Sequence, residues 1–214
     1  MRDIVQTIKD HKIIAIVRGI ETDKILDTGK ALYEGGIVLI EVTFNQSSAT
    51  CIEDTTTSIK LIADHMPEIC VGAGTVMTVE QAEGAIQAGA KYIISPNFDE
   101  DVVRRTIELH AISMPGVLTP TEITNAYKAG ASFAKVFPSG TLGINYLKAI
   151  KSPISHIPML AVGGVELDNV AEFMEIGLAG VGVGSSLVNK TLINEGRFNE
   201  LTELAKKFVS RIKE

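Results

Sequence analysis

The sequence predicts an α/β fold, a single (β/α)8 barrel that covers residues 1–214 and begins with a short N-terminal helix. The first observation behind this prediction is a recurrence of eight short apolar runs rich in Ile and Val, with amphipathic stretches between them. Near-continuous apolar strands that alternate with helices are typical of a parallel sheet covered by helices. The runs are, in order, "KIIAIVR" from Lys12, "IVLIEVTF" from Ile37, "EICVGAG" from Glu68, "AKYIISP" from Ala90, "HAISMPG" from His110, "SFAKVFP" from Ser132, "IPMLAVGG" from Ile157 and "AGVGVGSS" from Ala179.

The second observation is a weak internal repeat. A helix that ends in glycine precedes every second strand, in "LYEGGIVLIE", "IQAGAKYIIS", "YKAGASFAKV" and "MEIGLAGVGV". One of these helices, "TVEQAEGAIQAG", begins with a capping-box pattern of Thr78 with Gln81 and ends at Gly89, and another ends at Gly130. A two-strand unit used four times favours a closed TIM barrel over an open doubly wound sheet, which is the competing fold.

Charge and composition exclude some classes of partner. The formal net charge of −6 argues against nucleic acid or an anionic membrane surface as the main partner. The apolar run between Lys12 and Arg18 is too short for a signal peptide or a membrane span. Cys51 and Cys70 fit no metal-ligand or redox spacing, so we expect two reduced cysteines and a cytoplasmic location.

Function is expected at the carboxyl ends of the strands, where barrels of this kind carry their active sites. Side chains alternate between the two faces of a strand, so Lys135 shares one face of its strand with Phe133 and Phe137. By the same alternation, Glu41 points inward together with Leu39, while Val38, Ile40, Val42 and Phe44 face the helices. The sequence therefore predicts one lysine and one glutamate in the same apolar interior.

Lys135 could have a structural or a catalytic role. The structural role is a buried ion pair with Glu41, although a buried pair seldom stabilises a fold more than an apolar replacement does. The catalytic role is that of a nucleophile, because burial lowers the pKa of a lysine and leaves more of the amine neutral and able to attack a carbonyl. A nearby carboxylate such as Glu41 would then move protons on and off the substrate.

Glycines at the ends of the last two strands suggest a phosphate site. "AVGGVELDN" and "VGVGSSLVN" supply backbone amides at Gly163 and Gly164 and the hydroxyl of Ser185. Tight turns that need a positive φ are the alternative explanation for such glycines.

Two patterns argue against a cofactor or a metal. "VGAGTV" lacks the third glycine of a dinucleotide-binding fingerprint, so no nicotinamide or flavin cofactor is predicted. The histidines each come just before a predicted strand, which puts them at the end of the barrel opposite the expected site. We therefore predict that the protein works without a cofactor and without a metal.

A family resemblance covers nearly the whole chain. The motifs "AIVRG", "IEVTF", "VGAGTV", "ISPN", "MPGVLTPTE", "KVFPSG", "AVGGV" and "VGVGSSLV" resemble those of the 2-keto-3-deoxy-6-phosphogluconate (KDPG) / 4-hydroxy-2-oxoglutarate (KHG) aldolase family. The resemblance implies a metal-free class I pyruvate aldolase that forms homotrimers. Such an enzyme cleaves KDPG to pyruvate and glyceraldehyde 3-phosphate, and KHG to pyruvate and glyoxylate.

The resemblance also implies a role for each site residue. Lys135 would form the Schiff base, and Glu41 would shuttle protons through an ordered water. Thr75 would help to hold the pyruvyl carboxylate. The remaining implied residues line the same pocket (Arg18, Pro96 and Phe137) or hold the distal phosphate (Gly163, Gly164 and Ser185).

Two departures from the family pattern leave the substrate open. Asn45 and Val162 stand where many members have arginine and threonine, and both are similar to the sister group that cleaves 2-keto-3-deoxy-6-phosphogalactonate. "EVTF" and "PGVLTPTE" favour the gluconate branch, which is our prediction. The more distant alternatives are a phosphate-binding isomerase or a thiamin-phosphate synthase-like transferase, and a barrel that binds a sugar phosphate without catalysis.

Overall fold

The structure, a computed structural model, describes residues 4–213 and is built around one parallel β-sheet. Its strands are β1 Ile13–Val17, β2 Leu39–Thr43, β3 Cys70–Gly74, β4 Tyr92–Ile94, β5 Ile112–Met114, β6 Gly116–Val117, β7 Ala134–Val136, β8 Met159–Val162 and β9 Gly180–Val183. The strand order is β5-β4-β3-β2-β1-β9-β8-β7-β6, and every pairing is parallel. This arrangement confirms the predicted barrel. The single-domain prediction includes residues 1–3 and 214, which lie outside the described residues.

The fifth predicted strand is divided in two, so residues 4–213 contain nine strands where eight apolar runs were identified. The division falls at Pro115, which has no backbone N–H for a sheet ladder. β5 pairs with β4 on one side and β6 pairs with β7 on the other. β5 and β6 are the two edge strands of the sheet, and they are consecutive in the chain, so the chain connects the two edges. The amide of Lys135 in β7 donates to the carbonyl of Pro115, the residue between β5 and β6, at 3.0 Å.

Helices cover the outside of the barrel. The helices on the outside are α2 Ile25–Glu34, α3 Cys51–His65, α4 Val79–Gln87, α5 Glu100–Glu108, α6 Pro120–Lys128, α7 Ser139–Lys151, α8 Val170–Glu175, α9 Lys190–Asn194 and α10 Phe198–Lys213. The first helix, α1 Ile4–His11, instead packs Ile8 into the core inside the barrel. The turns after α4 and α6 have positive φ at Gly89 and Gly130, as predicted. None of the described helices is long and apolar enough to cross a membrane.

One capping prediction is half right. The hydroxyl of Thr78 accepts from the amide of Gln81, but the Gln81 side chain accepts from the amide of Met77 instead of closing the box. The complete capping box lies at the start of α6, between Thr119 and Glu122. The side-chain amide of Gln81 also donates to Oε1 of Gln46, a residue distant in sequence, at 3.0 Å.

Two apolar cores lie on the two sides of the sheet. The outer one, between sheet and helices, contains Ala134 and Val136 of β7. The inner one fills the barrel and consists of Ile8, Ile14, Leu39, Tyr92, Ile94, Met114, Phe133 and Leu160. Val38 was predicted to face the helices, but it packs against the inner core, because it precedes the first residue of β2 and the alternation holds only within a strand.

Candidate active site

All nine residues singled out from the sequence line one cavity of about 360 Å³ at the carboxyl ends of the strands. They are Arg18, Glu41, Thr75, Pro96, Lys135, Phe137, Gly163, Gly164 and Ser185. The barrel explains this convergence, because every strand of a parallel sheet ends on the same side. The structure thus brings the residues together, and their chemical roles stay predictions.

Lys135 lies inside the barrel with only 5% of its surface exposed. Its Nζ is 5.0 Å from the centroid of the Phe137 ring. Burial lowers the pKa of the Lys135 amine, the nearby charge of Glu41 opposes that shift, and the positive charge of Arg18 adds to it. The amine is therefore neutral more often than that of a solvated lysine.

The two buried charges do not form a salt bridge. Every ion pair found among residues 4–213 joins partly or fully exposed side chains, and none includes Lys135 or Glu41. The attraction between Lys135 and Glu41 acts over a longer distance than a salt bridge, and both side chains line the same cavity. A structural ion pair is therefore a poor explanation for the buried lysine.

Glu41 is even more deeply buried, with 2% of its surface exposed. Burial raises the pKa of the Glu41 carboxyl, and the charges of Lys135 and Arg18 partly oppose the rise. A carboxyl with a raised pKa is a better proton acceptor and donor near neutral pH than a solvated one. The cavity therefore combines an amine of lowered pKa with a carboxyl of raised pKa.

Gly74 makes room for this carboxyl. A Cβ at Gly74 would lie 1.5 Å from Glu41 Oε1, far inside van der Waals contact. The absence of a side chain at Gly74 therefore determines where the carboxyl of Glu41 can lie.

We expect Gly74→Ala to move the Glu41 carboxyl and to reduce kcat by about 10²-fold or more, since an error of 1 Å in a catalytic group is that costly. The matched control is Gly84→Ala on α4, where the new Cβ would lie 3.5 Å from the Thr56 methyl group. The control should retain its activity and gain up to about 1 kcal/mol in stability. Steady-state kinetics together with thermal unfolding measures both, and equal activity of the two variants would contradict the assignment of Gly74.

Arg18 and Thr75 form a polar cluster in the same cavity as Lys135 and Glu41. An Nη atom of Arg18 donates to the hydroxyl of Thr75 at 3.0 Å. Thr75 has a φ of 56°, a left-handed conformation that is costly for a β-branched residue, and Gln46 donates to its carbonyl at 2.7 Å. Two long-range hydrogen bonds therefore hold Thr75 in place, and nothing in the sequence pattern pointed to Gln46.

Glycine backbone forms another part of the cavity wall. Gly163 and Gly164 have φ values of 85° and 73°, and the amide of Gly140 donates to the carbonyl of Gly163 at 2.7 Å. Their conformation alone requires glycine, so the turn explanation is correct. It does not exclude an anion site, because the amides of Gly164 and Ser185 donate to no backbone acceptor in the described structure.

Some lining residues were not selected from the sequence. Ile16, Glu166 and Ser186 also line the cavity. The alternation of β1 could have identified Ile16, whereas the two loop residues follow no periodic pattern. Asn45, which stands where many family members have arginine, is not among the residues that line this cavity and lines a second one of about 210 Å³.

The other titratable groups of interest lie elsewhere. The described part of the chain contains no cluster of three or more His, Cys, Asp or Glu side chains that could hold a metal ion. Both cysteines are unbridged, and burial raises the pKa of the Cys70 thiol to about 11. Cys70 is thus a poor nucleophile at neutral pH.

The fold and the cavity define a class, the (β/α)8 barrels, whose enzymes carry their active sites at the carboxyl ends of the strands. Residues 4–204 match the family model of the KDPG and KHG aldolases, and the chain belongs to that family. Membership places it among the aldolases, which are lyases.

Three relatives illustrate the match. The 2-dehydro-3-deoxy-6-phosphogalactonate aldolase of Escherichia coli K12 is 36% identical over 82% of this chain and 83% of its own. The 2-dehydro-3-deoxy-phosphogluconate aldolase of Treponema pallidum is 31% identical over 96% of this chain and 95% of its own. A crystal structure of KDPG aldolase from Legionella pneumophila, with pyruvate captured as a covalent carbinolamine, superposes with a TM-score of 0.85 at 27% identity and covers 95% of this chain and 97% of the other.

Proposed function

We propose that this protein is a class I aldolase that cleaves a 2-keto-3-deoxy-6-phosphohexonate to pyruvate and glyceraldehyde 3-phosphate through a Schiff base on Lys135. The observation that carries the proposal is a buried lysine with a lowered pKa and no salt bridge, facing the same cavity as a buried carboxyl. The covalent pyruvate adduct named for the Legionella relative supports the same chemistry.

The reaction begins with the neutral amine of Lys135. Its Nζ attacks the C2 ketone to form a carbinolamine, and loss of water gives an iminium. The Glu41 carboxylate, acting through a water molecule, accepts the proton of the C4 hydroxyl. The C3–C4 bond then breaks, its electron pair moves into the iminium to form an enamine, and glyceraldehyde 3-phosphate leaves. A proton returned to C3 regenerates the iminium, and water releases pyruvate and the free amine.

Two groups of cavity residues would orient the substrate at its two ends. Arg18 and Thr75 are suited to the substrate carboxylate next to the reacting ketone, because a guanidinium and a hydroxyl both donate hydrogen bonds to it. The amides near Gly164 and the hydroxyl of Ser185 are suited to the distal phosphate. Pro96 and Phe137 provide apolar walls between the two ends.

The gluconate acid, KDPG, is our first candidate substrate, on the motifs "EVTF" and "PGVLTPTE". The galactonate acid is the second candidate, and the 36% identity to a galactonate aldolase and the presence of Asn45 and Val162 favour it. A comparison of kcat/KM for the two acids and for KHG decides between them. A higher value for the galactonate acid would reverse the order, and KHG cleavage would show the bifunctional activity.

Borohydride reduction in the presence of pyruvate, followed by peptide mass mapping, tests the Schiff base. We expect a reduced pyruvyl adduct on Lys135 and none on the exposed Lys60. A folded protein without an adduct at saturating pyruvate would point to the isomerase, transferase or binding-only alternatives. A protein that turns over without the adduct would use a different chemistry.

The rate of adduct formation should depend on pH in a defined direction. The neutral amine reacts, so the rate should rise with pH and level off once the amine is fully deprotonated. Because the pKa of Lys135 is lowered from an ordinary value of 10.5, the midpoint of this rise should lie below pH 10.5. Trapping rates between pH 6 and 11 measure the midpoint, and a midpoint at or above pH 10.5 would contradict the lowered pKa.

We also propose a homotrimer, on the basis of family membership. Light scattering on the purified protein should give a mass three times that of the chain, and a monomer or dimer would exclude the trimer. The cytoplasmic location stays a prediction from the sequence.

A further inference from the structure

Tyr92 lies in the same layer of the barrel as Glu41. The register pairs Glu41 with Gly72, and it pairs Ala73 with Ile93, which puts Gly72 beside Tyr92. All three residues are on the inward face of their strands. Gly72 is thus the only residue between Glu41 and Tyr92 along this layer of the described sheet.

The ring of Tyr92 occupies the space above that glycine. A Cβ at Gly72 would lie 2.1 Å from Tyr92 Cε2 and 2.6 Å from Cγ, so the ring extends across β3. β2 is the next strand in that direction, and it carries Glu41. The Tyr92 ring therefore lies against the inward face of β3 at Gly72, and the Glu41 carboxyl lies against the same face at Gly74, two residues further along the strand.

Two polar atoms in this interior have no hydrogen-bond partner among residues 4–213, namely Tyr92 Oη and Glu41 Oε2. Tyr92 is completely buried and Glu41 is 2% exposed. A buried donor or acceptor without a partner costs about 1–3 kcal/mol, and native structures rarely tolerate one. Here a donor and an acceptor both lack partners at neighbouring levels of one interior, and a single buried water between them would satisfy both.

The hydroxyl is also unnecessary for packing. Tyr92 belongs to the inner core, where its neighbours are aliphatic and aromatic side chains. A phenylalanine would fill the same volume without burying a polar atom. Packing alone therefore does not account for the hydroxyl.

We propose that Tyr92 is a positioning residue whose hydroxyl is linked to the Glu41 carboxylate by hydrogen bonds through one buried water, and so orients it for proton transfer. The proposal rests on the function proposed above for Glu41. The charged groups that face the carboxyl from the other elements are Lys135 of β7 and Arg18 after β1, and Cys70 of β3 faces the phenol.

The hydrogen bond has a predictable electrostatic effect. A donor to a carboxylate favours its charged form and lowers its pKa. Burial already raises the pKa of Glu41, so the loss of the donor would raise it further. Since Glu41 must be ionised to accept a proton, activity would then begin to fall at a higher pH.

The test is a titration of the Glu41 carboxyl by ¹³C NMR in protein labelled at glutamate, with the resonance assigned from Glu41→Gln. We expect Tyr92→Phe to raise the pKa of Glu41 by about one unit, the equivalent of one hydrogen bond to a charged group. Tyr146→Phe is the matched control, because Tyr146 donates to the carbonyl of Leu118 and lies outside the cavity. Tyr92→Met is a second variant that removes the hydroxyl, and the same upward shift is expected.

Kinetics provides the readout of positioning. In Tyr92→Phe the acidic limb of the kcat profile should move to higher pH by the same amount, while borohydride trapping of pyruvate on Lys135 persists. An unchanged Glu41 titration in folded Tyr92→Phe would overturn the proposal. The Glu41 titration does not depend on turnover. A missing pyruvate adduct would therefore reject the proposed function, while the titration would still decide whether Tyr92 acts on the Glu41 carboxyl.

Discussion

Replacement of Lys135 by methionine is expected to abolish turnover, with a loss of about 10⁴-fold or more in kcat, since removal of a nucleophile eliminates the covalent route. Methionine fills a similar apolar volume, and Lys135 forms no salt bridge in the described structure that would be broken. We therefore expect the free energy of unfolding to change by less than about 2 kcal/mol. Coupled assay of pyruvate release and urea unfolding measure the two quantities.

The control for this variant is Lys60→Met, on the exposed face of α3, where the side chain pairs with Asp64. An exposed pair of this kind contributes about 0–1 kcal/mol, so activity and stability should both stay near those of the parent. Full turnover by Lys135→Met would show that the lysine is structural. Unfolding of Lys135→Met with loss of activity would leave Lys135→Ala and the pyruvate adduct to decide the role of the amine.

Replacement of Glu41 by glutamine should reduce kcat by about 10²–10⁴-fold, the usual contribution of a positioned acid or base. The amide occupies the same space beside Gly74 but cannot accept a proton. Lys135 keeps its burial, so trapping of pyruvate should persist in part. The distinctive result is a separation of the two steps, in which the Schiff base forms and cleavage is slow.

Two measurements make this separation visible. Borohydride trapping reports the imine, and exchange of the pyruvate methyl protons with solvent deuterium, followed by NMR, reports proton transfer. Glu172→Gln, on the exposed face of α8, is the matched control and should change neither rate. Loss of trapping and exchange to the same extent would mean that Glu41 acts on imine formation, and unchanged kcat would remove it from the mechanism.

Most of the barrel could be predicted from periodicity. Apolar runs at regular spacing, with glycines that end the helices before every second strand, correspond to real strands and to real turns at Gly89 and Gly130. The division at Pro115 was not predicted, because "HAISMPG" is apolar throughout and the missing N–H matters only once the neighbouring strands are known. Val38 was misplaced for a related reason, since alternation identifies a face but does not show where a strand begins.

The site could be predicted as a set of residues but not as a geometry. Lys135 and Glu41 were found because inward charges are unusual in an apolar barrel, and strand ends converge in any parallel barrel. Gln46, Glu166 and Ser186 lie in loops, where no period indicates a direction. The separation of the Lys135 and Glu41 side chains could not be predicted from the sequence either. A salt bridge therefore remained an alternative until the structure placed both side chains.

By itself the sequence determined the layering of this protein, the inward direction of its buried lysine and glutamate, and the end of the barrel at which they lie. These properties follow from local rules, because a strand has a period of two and a parallel sheet has one carboxyl edge. Only the tertiary structure decided that Gly74 makes room for the Glu41 carboxyl, that Gly72 carries the ring of Tyr92, and that Lys135 forms no salt bridge. Such contacts join positions far apart in the chain, and they exist only after the barrel closes and the side chains share one interior.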